Sequence, residues 1–152
     1  MRSDTLQILG VIGLACGMAF ADGVPPVGSV SLASLLQSVE KQGYQAITEV
    51  SFDDGEWEIE ALQGTNPVGL RITPQSGDIR HVHADEPHPV LPQKALSAAQ
   101  VLDTLQKAGY PTITKIELEP NGWEAEALQN GIEHELLLDL TTGKILVDQI
   151  DN

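Results

Sequence analysis

An internal repeat is the feature that most constrains the fold of this chain. When the sequence is shifted by 66 residues, positions 31–79 align with positions 97–145 without a gap. Seventeen of the 49 aligned positions are identical, and both Trp and both Tyr residues fall at matched positions. Since a repeat of this kind is one structural unit written twice, the chain is expected to build two copies of one small fold.

Each copy is predicted to begin with a helix. Ser31 and Ser97 are of a residue type that caps helix N-termini, and apolar residues follow both at the spacing of one buried helical face. Gly43 and Gly109 stand where a left-handed residue would end each helix. The two apolar faces consist of Leu32, Leu35, Leu36 and Val39, and of Ala98, Val101, Leu102 and Leu105.

Four strands are predicted after each helix, because apolar and polar residues alternate there with a period of two. In the clearest segment, Trp57, Ile59 and Ala61 point to one face, and Glu58 and Glu60 point to the other. The second copy repeats this pattern at positions 123–127. The expected fold is therefore α+β, with two tandem repeats, each of them one helix packed on a four-stranded antiparallel sheet.

The segments outside the repeats are expected to be a leader and a linker. An apolar stretch near the N-terminus ends in Ala19-Phe20-Ala21, which is typical of a cleaved secretory signal. Prolines at positions 87, 89 and 92 disfavour regular structure between the copies. We therefore expect a signal peptide at 1–21, a first domain at 22–83, a Pro-rich linker at 84–94 and a second domain at 95–152.

The only cysteine, Cys16, lies inside the predicted signal peptide. Leu14, Ala15 and Gly17 around it partly match a lipoprotein site, but Gly13 stands where such a site normally has a bulky aliphatic residue. Cleavage after Ala21 is favoured over tethering through Cys16. A chain cleaved there has no cysteine, which excludes disulfides, thiolate metal sites and cysteine catalysis.

Charge excludes two classes of partner. The chain has 8 Lys and Arg residues against 22 Asp and Glu residues, a formal net charge of −14. A nucleic-acid binder would present a basic patch, and an anionic membrane surface would attract a polybasic run. Hydrophobic residues make up 41% of the chain, which is enough for a core and too much for a disordered acidic tail.

The repeated motifs resemble those of the PepSY domain. Each copy combines a helix, Gly-Tyr, Ile-Thr, a Gly-containing turn, Trp-Glu-x-Glu-Ala and a final Gly-x-Ile. That family is associated with secreted and cell-envelope proteins and with propeptides of thermolysin-type metalloproteases. The resemblance therefore implies a protein that restrains peptidases, or otherwise binds proteins outside the cytoplasm. Tandem copies are also similar in fold to the β-lactamase inhibitor protein.

The candidate partner-binding residues are Glu58, Glu60, Glu124 and Glu126. Residues at i and i+2 of a strand lie roughly 7 Å apart on one face, a spacing that would also suit a catalytic carboxylate pair. The apolar residues of the same strands face the core, however, so both pairs should point to solvent or to a partner. Nothing nearby in the sequence would raise the pKa of one carboxyl, as acid catalysis requires. A solvated sheet face or an acidic docking surface is expected instead.

A second candidate site consists of His81, His83 and Asp85. If the last strand of the first copy continues to Asp85, these three side chains share one face and could hold Zn²⁺ or Cu²⁺. A polar edge strand that runs into the linker is the alternative. The second copy lacks both histidines at the corresponding positions, so a metal site would belong to this protein and not to the repeated unit. His134, which lies between two glutamates, is expected to be a surface or groove residue.

The sequence as a whole predicts an exported, acidic, periplasmic or secreted protein that binds another protein and is not an enzyme. The leading hypothesis is a PepSY-type inhibitor or regulator of an envelope peptidase or other protein. No cofactor is expected, and no transmembrane span is expected after signal cleavage. The alternative is a periplasmic metal-binding protein that uses His81, His83 and Asp85.

Overall fold

The computed structural model describes residues 23–151 of the chain. The predicted signal peptide and Cys16 lie outside the described residues. Residues 23–151 contain two helices, α1 (Leu32–Lys41) and α2 (Ala98–Lys107). The first four strands are β1 (Tyr44–Asp53), β2 (Glu56–Gln63), β3 (Asn66–Ile72) and β4 (Ile79–Ala84). The other four are β5 (Thr112–Glu119), β6 (Gly122–Gln129), β7 (Ile132–Leu138) and β8 (Ile145–Ile150).

All eight strands belong to one antiparallel sheet, in the order β4-β3-β2-β1-β5-β6-β7-β8. The prediction of a separate four-stranded sheet for each copy was wrong, because β1 and β5 pair and join the two halves into one sheet. Unjoined, each of these strands would be a sheet edge with unpaired N–H and C=O groups. The pairing of β1 with β5 gives hydrogen-bond partners to part of these backbone groups in both halves.

The join is centred on one pair of equivalent positions of the two copies. Val50 pairs with Ile116, which lies 66 residues further along the chain, at the same position of the second copy. Glu49 pairs with Glu117, and Ser51 pairs with Lys115. Because each copy meets its own counterpart in antiparallel register, the two halves of the sheet are related by an approximate twofold axis through the Val50–Ile116 pair.

Both helices pack on the same face of the sheet. Ser31 accepts a hydrogen bond from the backbone N–H of Ser34, and Ser97 forms a capping box with Gln100. The apolar residues predicted for each helix are all buried. They meet the inward side chains of the central strands, among them Trp57 and Trp123, in one continuous core. Among the described residues, no helix is long and apolar enough to cross a membrane.

The segment between the copies is docked onto the first half. Residues 85–97 form neither helix nor strand. Five of its residues, from Pro87 to Leu91, line a cleft of about 310 Å³ together with Ala46, Leu62 and Pro67. Leu91 packs against the core, and the His88 side chain is only 5% exposed. The prolines therefore prevent strand pairing here without leaving the segment free of contacts.

Candidate functional site

The sheet face opposite the helices carries the candidate site, and we call it the open face. Strand alternation directs every second side chain of the central strands to this side. Across the middle of the sheet, Glu60 pairs with Glu49, Glu49 with Glu117, and Glu117 with Glu124. These four side chains, which we call the carboxylate row, lie side by side on strands β2, β1, β5 and β6, and all are half-buried.

A second row runs parallel to the first. Glu58 pairs with Ser51, Ser51 with Lys115, and Lys115 with Glu126. All four glutamates predicted from the sequence are thus on one face and in two neighbouring rows, although two come from each half of the chain. The sequence pattern did not reveal that Glu49, Glu117 and Lys115 lie between them. Strand alternation places Glu49 and Ser51 on the polar side, but only the pairing of β1 with β5 brings the two halves together.

Burial and mutual repulsion shape the electrostatics of the carboxylate row. Burial raises the pKa of Glu49 from 4.5 to about 7, and the charges of Glu117 and Glu60 add to this effect. Burial also raises the pKa of Glu60, as it does that of Glu126 in the second row. Open-face carboxylates near the junction are therefore short of solvent and of compensating positive charge.

Lys115 provides positive charge at the junction. Its Nζ lies 2.9 Å from a carboxylate oxygen of Glu117. Burial lowers the pKa of Lys115, but this hydrogen bond and the charges of Glu117, Glu126 and Glu49 outweigh it, and the net pKa is raised. One cation is thus shared among several acids, which leaves the row with a net negative charge.

The predicted acidic site is partly neutralised at its β3 end. A carboxylate oxygen of Glu58 lies 2.9 Å from the Arg71 guanidinium, and Glu56 lies 3.6 Å from the same group. Glu58 is thus paired with an arginine, whereas Glu60, two residues further along β2, has only the more distant His88 Nε2 at 3.9 Å. The negative potential of the open face is therefore centred on the junction of the two halves.

The structure groups Asp85 with Glu60, which the sequence assigned to the other candidate site, and with His88. One ligand atom from each of Glu60, Asp85 and His88 lies within 4.8 Å of the others. His83 borders the group, because it lines the same shallow cleft as Glu60 and Asp85. His81 stacks on His83 at 5.5 Å between ring centroids, but it is not a member of the group. His88 lies close to the predicted cluster in sequence, but only the fold, in which the linker returns over the sheet, places it beside Glu60.

His134 is buried, and not in the surface or groove position that the sequence predicted. Its side of β7 is the core side, which it shares with Leu136. His134 Nδ1 lies 2.6 Å from the carboxylate of Asp148, which also accepts a hydrogen bond from the Tyr110 hydroxyl. These hydrogen bonds, that of Tyr110 first, lower the pKa of Asp148. The network is a polar part of the core on the side away from the open face.

Comparison with known proteins gives one family and two distant structures. A family model described as peptidase propeptide and YPEB domain matches residues 5–82. No curated protein matches the sequence. A protein described as a lipoprotein of Clostridium difficile 630 shares 9% identity at a TM-score of 0.43, over 78% of this chain and 90% of its own. The C-terminal domain of Bacillus megaterium YpeB shares 11% identity at a TM-score of 0.33, over 84% of this chain and 68% of its own.

At these TM-scores the two structures support no argument about function. The family match includes α1 and the first three strands and ends within β4. It confirms the resemblance seen in the repeated motifs. Because the family model matches half of the sequence, this chain belongs to the PepSY family of peptidase propeptide and YPEB domains.

Proposed function

We propose that this protein is an exported, non-catalytic binding module that inhibits or regulates an envelope peptidase or another protein outside the cytoplasm. The observation that carries the proposal is the carboxylate row on the open face. It runs across the junction of the two halves, opposite the helices, and it is continuous over four strands. The family description, which names peptidase propeptides, is the reason to place a peptidase first among the partners.

The electrostatics of the row favour a basic partner. Glu49 and Glu60 lose hydration in the fold and repel each other and Glu117, with Lys115 as the nearby cation. A Lys or Arg side chain of a partner would replace the lost hydration and reduce the repulsion. Complementary charge of this kind speeds association and selects among partners. We therefore infer that the partner presents a basic segment to the junction.

The shape of the open face favours binding over catalysis. The cleft lined by Glu49, Glu58 and Glu60 has a volume of about 110 Å³, whereas small-molecule sites usually enclose some 300–1,000 Å³. This cleft is therefore too small to enclose a substrate, and its carboxylates are only half-buried. A broad surface of this form suits a protein partner better than an enclosed substrate.

The glutamates of the open face should be required for partner binding. Changing Glu58, Glu60, Glu124 and Glu126 together to Gln should weaken capture of the partner from envelope extract at least about tenfold, because the charges that face the basic segment are lost. The same interaction should weaken as salt concentration rises. The measurement is the amount of partner retained by the immobilised protein, followed by titration of the purified partner.

A matched control removes four negative charges from elsewhere on the surface. Glu40, Asp54, Asp78 and Asp103 are exposed and lie outside the two rows, and their change to Gln or Asn should leave capture unchanged. Equal loss in both variants would mean that net charge and not the open face is recognised. Full capture by the variant at Glu58, Glu60, Glu124 and Glu126 would show that the partner binds another surface.

A further inference from the structure

Three side chains that are distant in sequence meet where the linker returns to the sheet. Glu60 lies in β2, Asp85 directly follows β4, and His88 lies in the linker. Among the described residues that could hold a metal ion, one ligand atom from each of these three lies within 4.8 Å of the others. We propose that Glu60, Asp85 and His88 form a binding site for a divalent transition-metal ion, with Zn²⁺ as the best chemical match.

The distances fit a coordination sphere. His88 Nε2 lies 3.2 Å from Asp85 Oδ2 and 3.9 Å from Glu60 Oε2. Ligand atoms about 2.0–2.2 Å from a tetrahedral Zn²⁺ are separated by roughly 3.3–3.6 Å. Changes of a few tenths of an ångström would therefore bring both His88 distances into this range, and the Glu60 and Asp85 oxygens, which lie within 4.8 Å of each other, would close around the ion. The three protein ligands would leave a fourth position for water or a group from a partner.

Burial of His88 is the second observation that points to a ligand. Its side chain is only 5% exposed, yet Nδ1 has no hydrogen-bond partner among the described residues. Nε2 contacts only the carboxylates of the group itself. The buried ring is thus held through Nε2 by the hydrogen bond to Asp85, while Nδ1 is left unsatisfied, which is unfavourable. Coordination through Nε2, with the proton on Nδ1, would give the ring a strong interaction and bring a neutral imidazole together with two carboxylates around a 2+ ion.

The backbone is shaped to admit the group. Gly69 pairs with Glu60 on one side and with His83 on the other. A Cβ atom at Gly69 would lie 2.5 Å from the His83 ring and 3.2 Å from Asp85 Oδ2, so a larger residue would push both away from the sheet. The second copy has Glu135 at this position. The site therefore belongs to the first half alone.

The ligand types select the class of metal. One imidazole and two carboxylates suit Zn²⁺ and similar transition-metal ions, whereas Ca²⁺ and Mg²⁺ prefer oxygen ligands only. Because Glu60 is also the end of the carboxylate row, a bound ion would reduce the negative charge there. It would also tie the linker to β2.

The test is titration of the purified protein, without a polyhistidine tag, with ZnCl₂ by isothermal calorimetry. We expect one Zn²⁺ per chain and a rise in melting temperature, because the ion binds the folded state. Glu60→Gln, Asp85→Asn and His88→Ala should each weaken binding at least about tenfold, because each removes a ligand. The two amide variants keep the side-chain shape, so they test the site even if His88→Ala lowers stability.

Two control variants should bind Zn²⁺ as the parent protein does. His81→Ala removes the histidine next to His83 on β4, and Glu126→Gln changes the counterpart of Glu60 in the second half. The proposal is overturned if the parent protein shows neither a stoichiometric heat nor a melting shift. It is also overturned if His81→Ala weakens binding as much as His88→Ala, or if the two amide variants bind normally.

Discussion

Glu49 lies on β1 at the junction of the two halves, and negative charges on both neighbouring strands repel its carboxylate. Its cross-strand neighbours are Glu60 in the first half and Glu117 in the second. Burial, followed by repulsion from these two, raises its pKa to about 7, and Lys115 and Ser51 offset this only in part. A carboxyl in such surroundings is stabilised by protonation or by an approaching cation.

The pH dependence of stability should therefore change when Glu49 is replaced. The raised pKa keeps the Glu49 carboxyl protonated in the folded state up to about pH 7, whereas the unfolded chain releases this proton near its ordinary pKa of 4.5. The contribution of Glu49 to stability is thus fully present below the unfolded pKa and is lost as pH rises through 7. Glu49→Gln should raise the free energy of unfolding at about pH 8 by on the order of 1 kcal/mol, after allowance for solvent screening, and by much less at about pH 5.

Urea unfolding of both proteins at the two pH values measures this difference. Glu40→Gln, on the exposed side of α1, controls for the loss of one negative charge. An equal effect of Glu49→Gln at both pH values would contradict the raised pKa. A destabilising effect confined to high pH would reverse the sign and exclude this account.

At the scale of elements, β8 is an edge strand that depends on a polar network. Leu146, Val147 and Ile150 are largely exposed on it, so apolar burial holds it only weakly. Asp148 instead connects β8 to His134 on β7 and to Tyr110 after α2. The corresponding strand β4 of the first half has Val82 in place of Asp148, opposite Leu70 on β3. The equivalent strands β4 and β8 are thus held differently, with an apolar residue at this position in β4 and a hydrogen-bonded carboxylate in β8.

The network should behave as a unit when its members are removed. Asp148→Val alone leaves the buried His134 ring and the Tyr110 hydroxyl without their acceptor, and it should cost about 1–3 kcal/mol of unfolding free energy. Changing both Asp148 and His134 to Val, the residues of the first half, should cost less than the sum of the single changes. Chemical denaturation of the two single variants and the double variant measures the coupling. Additive costs would indicate that the two side chains act independently.

Acidification should weaken the same network. The hydrogen bonds from Tyr110 and then His134 lower the pKa of Asp148 below 3.8. A lowered pKa contributes stability that is present above the unfolded pKa and is lost as pH falls through the folded value. Loosening of β8 is therefore expected at strongly acidic pH, and amide hydrogen exchange of this strand measures it.

At the scale of the whole molecule, the two halves share a sheet and a core. The Val50–Ile116 pair joins the strands at the centre, and the two helices contact each other on the covered face. Separation would expose the inward side chains at the junction and unpair β1 from β5. Either half alone would lack this buried surface and this strand pairing. The two halves should therefore stabilise each other and unfold together.

Each half contains one tryptophan, so cooperativity can be measured directly. Trp57→Phe leaves Trp123 as a reporter of the second half, and Trp123→Phe leaves Trp57 as a reporter of the first. In each variant, tryptophan fluorescence and far-ultraviolet circular dichroism should give the same unfolding midpoint. Both substitutions will lower stability, so the comparison is made between probes within one variant. Distinct midpoints would mean that the halves unfold separately.

Local patterns in the sequence determined much of this protein. Ser31 and Ser97 mark the helix starts because a hydroxyl there satisfies free N–H groups of the first turn. Alternation around Trp57 and Trp123 assigned the buried and polar sides of β2 and β6, since strand side chains reverse direction at every residue. The shared motifs identified the family, and the match over residues 5–82 confirms it.

Contacts between distant segments were decided only by the tertiary structure. Alternation places Glu49 on the polar side, but it does not predict the pairing of β5 with β1. That pairing puts Glu117 beside Glu49. The prolines of the linker predicted irregular backbone, but not the return path that buries His88 against Glu60 and Asp85. Periodicity describes one segment at a time, whereas edge pairing and linker docking depend on which surfaces are left unsatisfied once the segments have formed. The carboxylate row and the proposed metal site both arise at that second level.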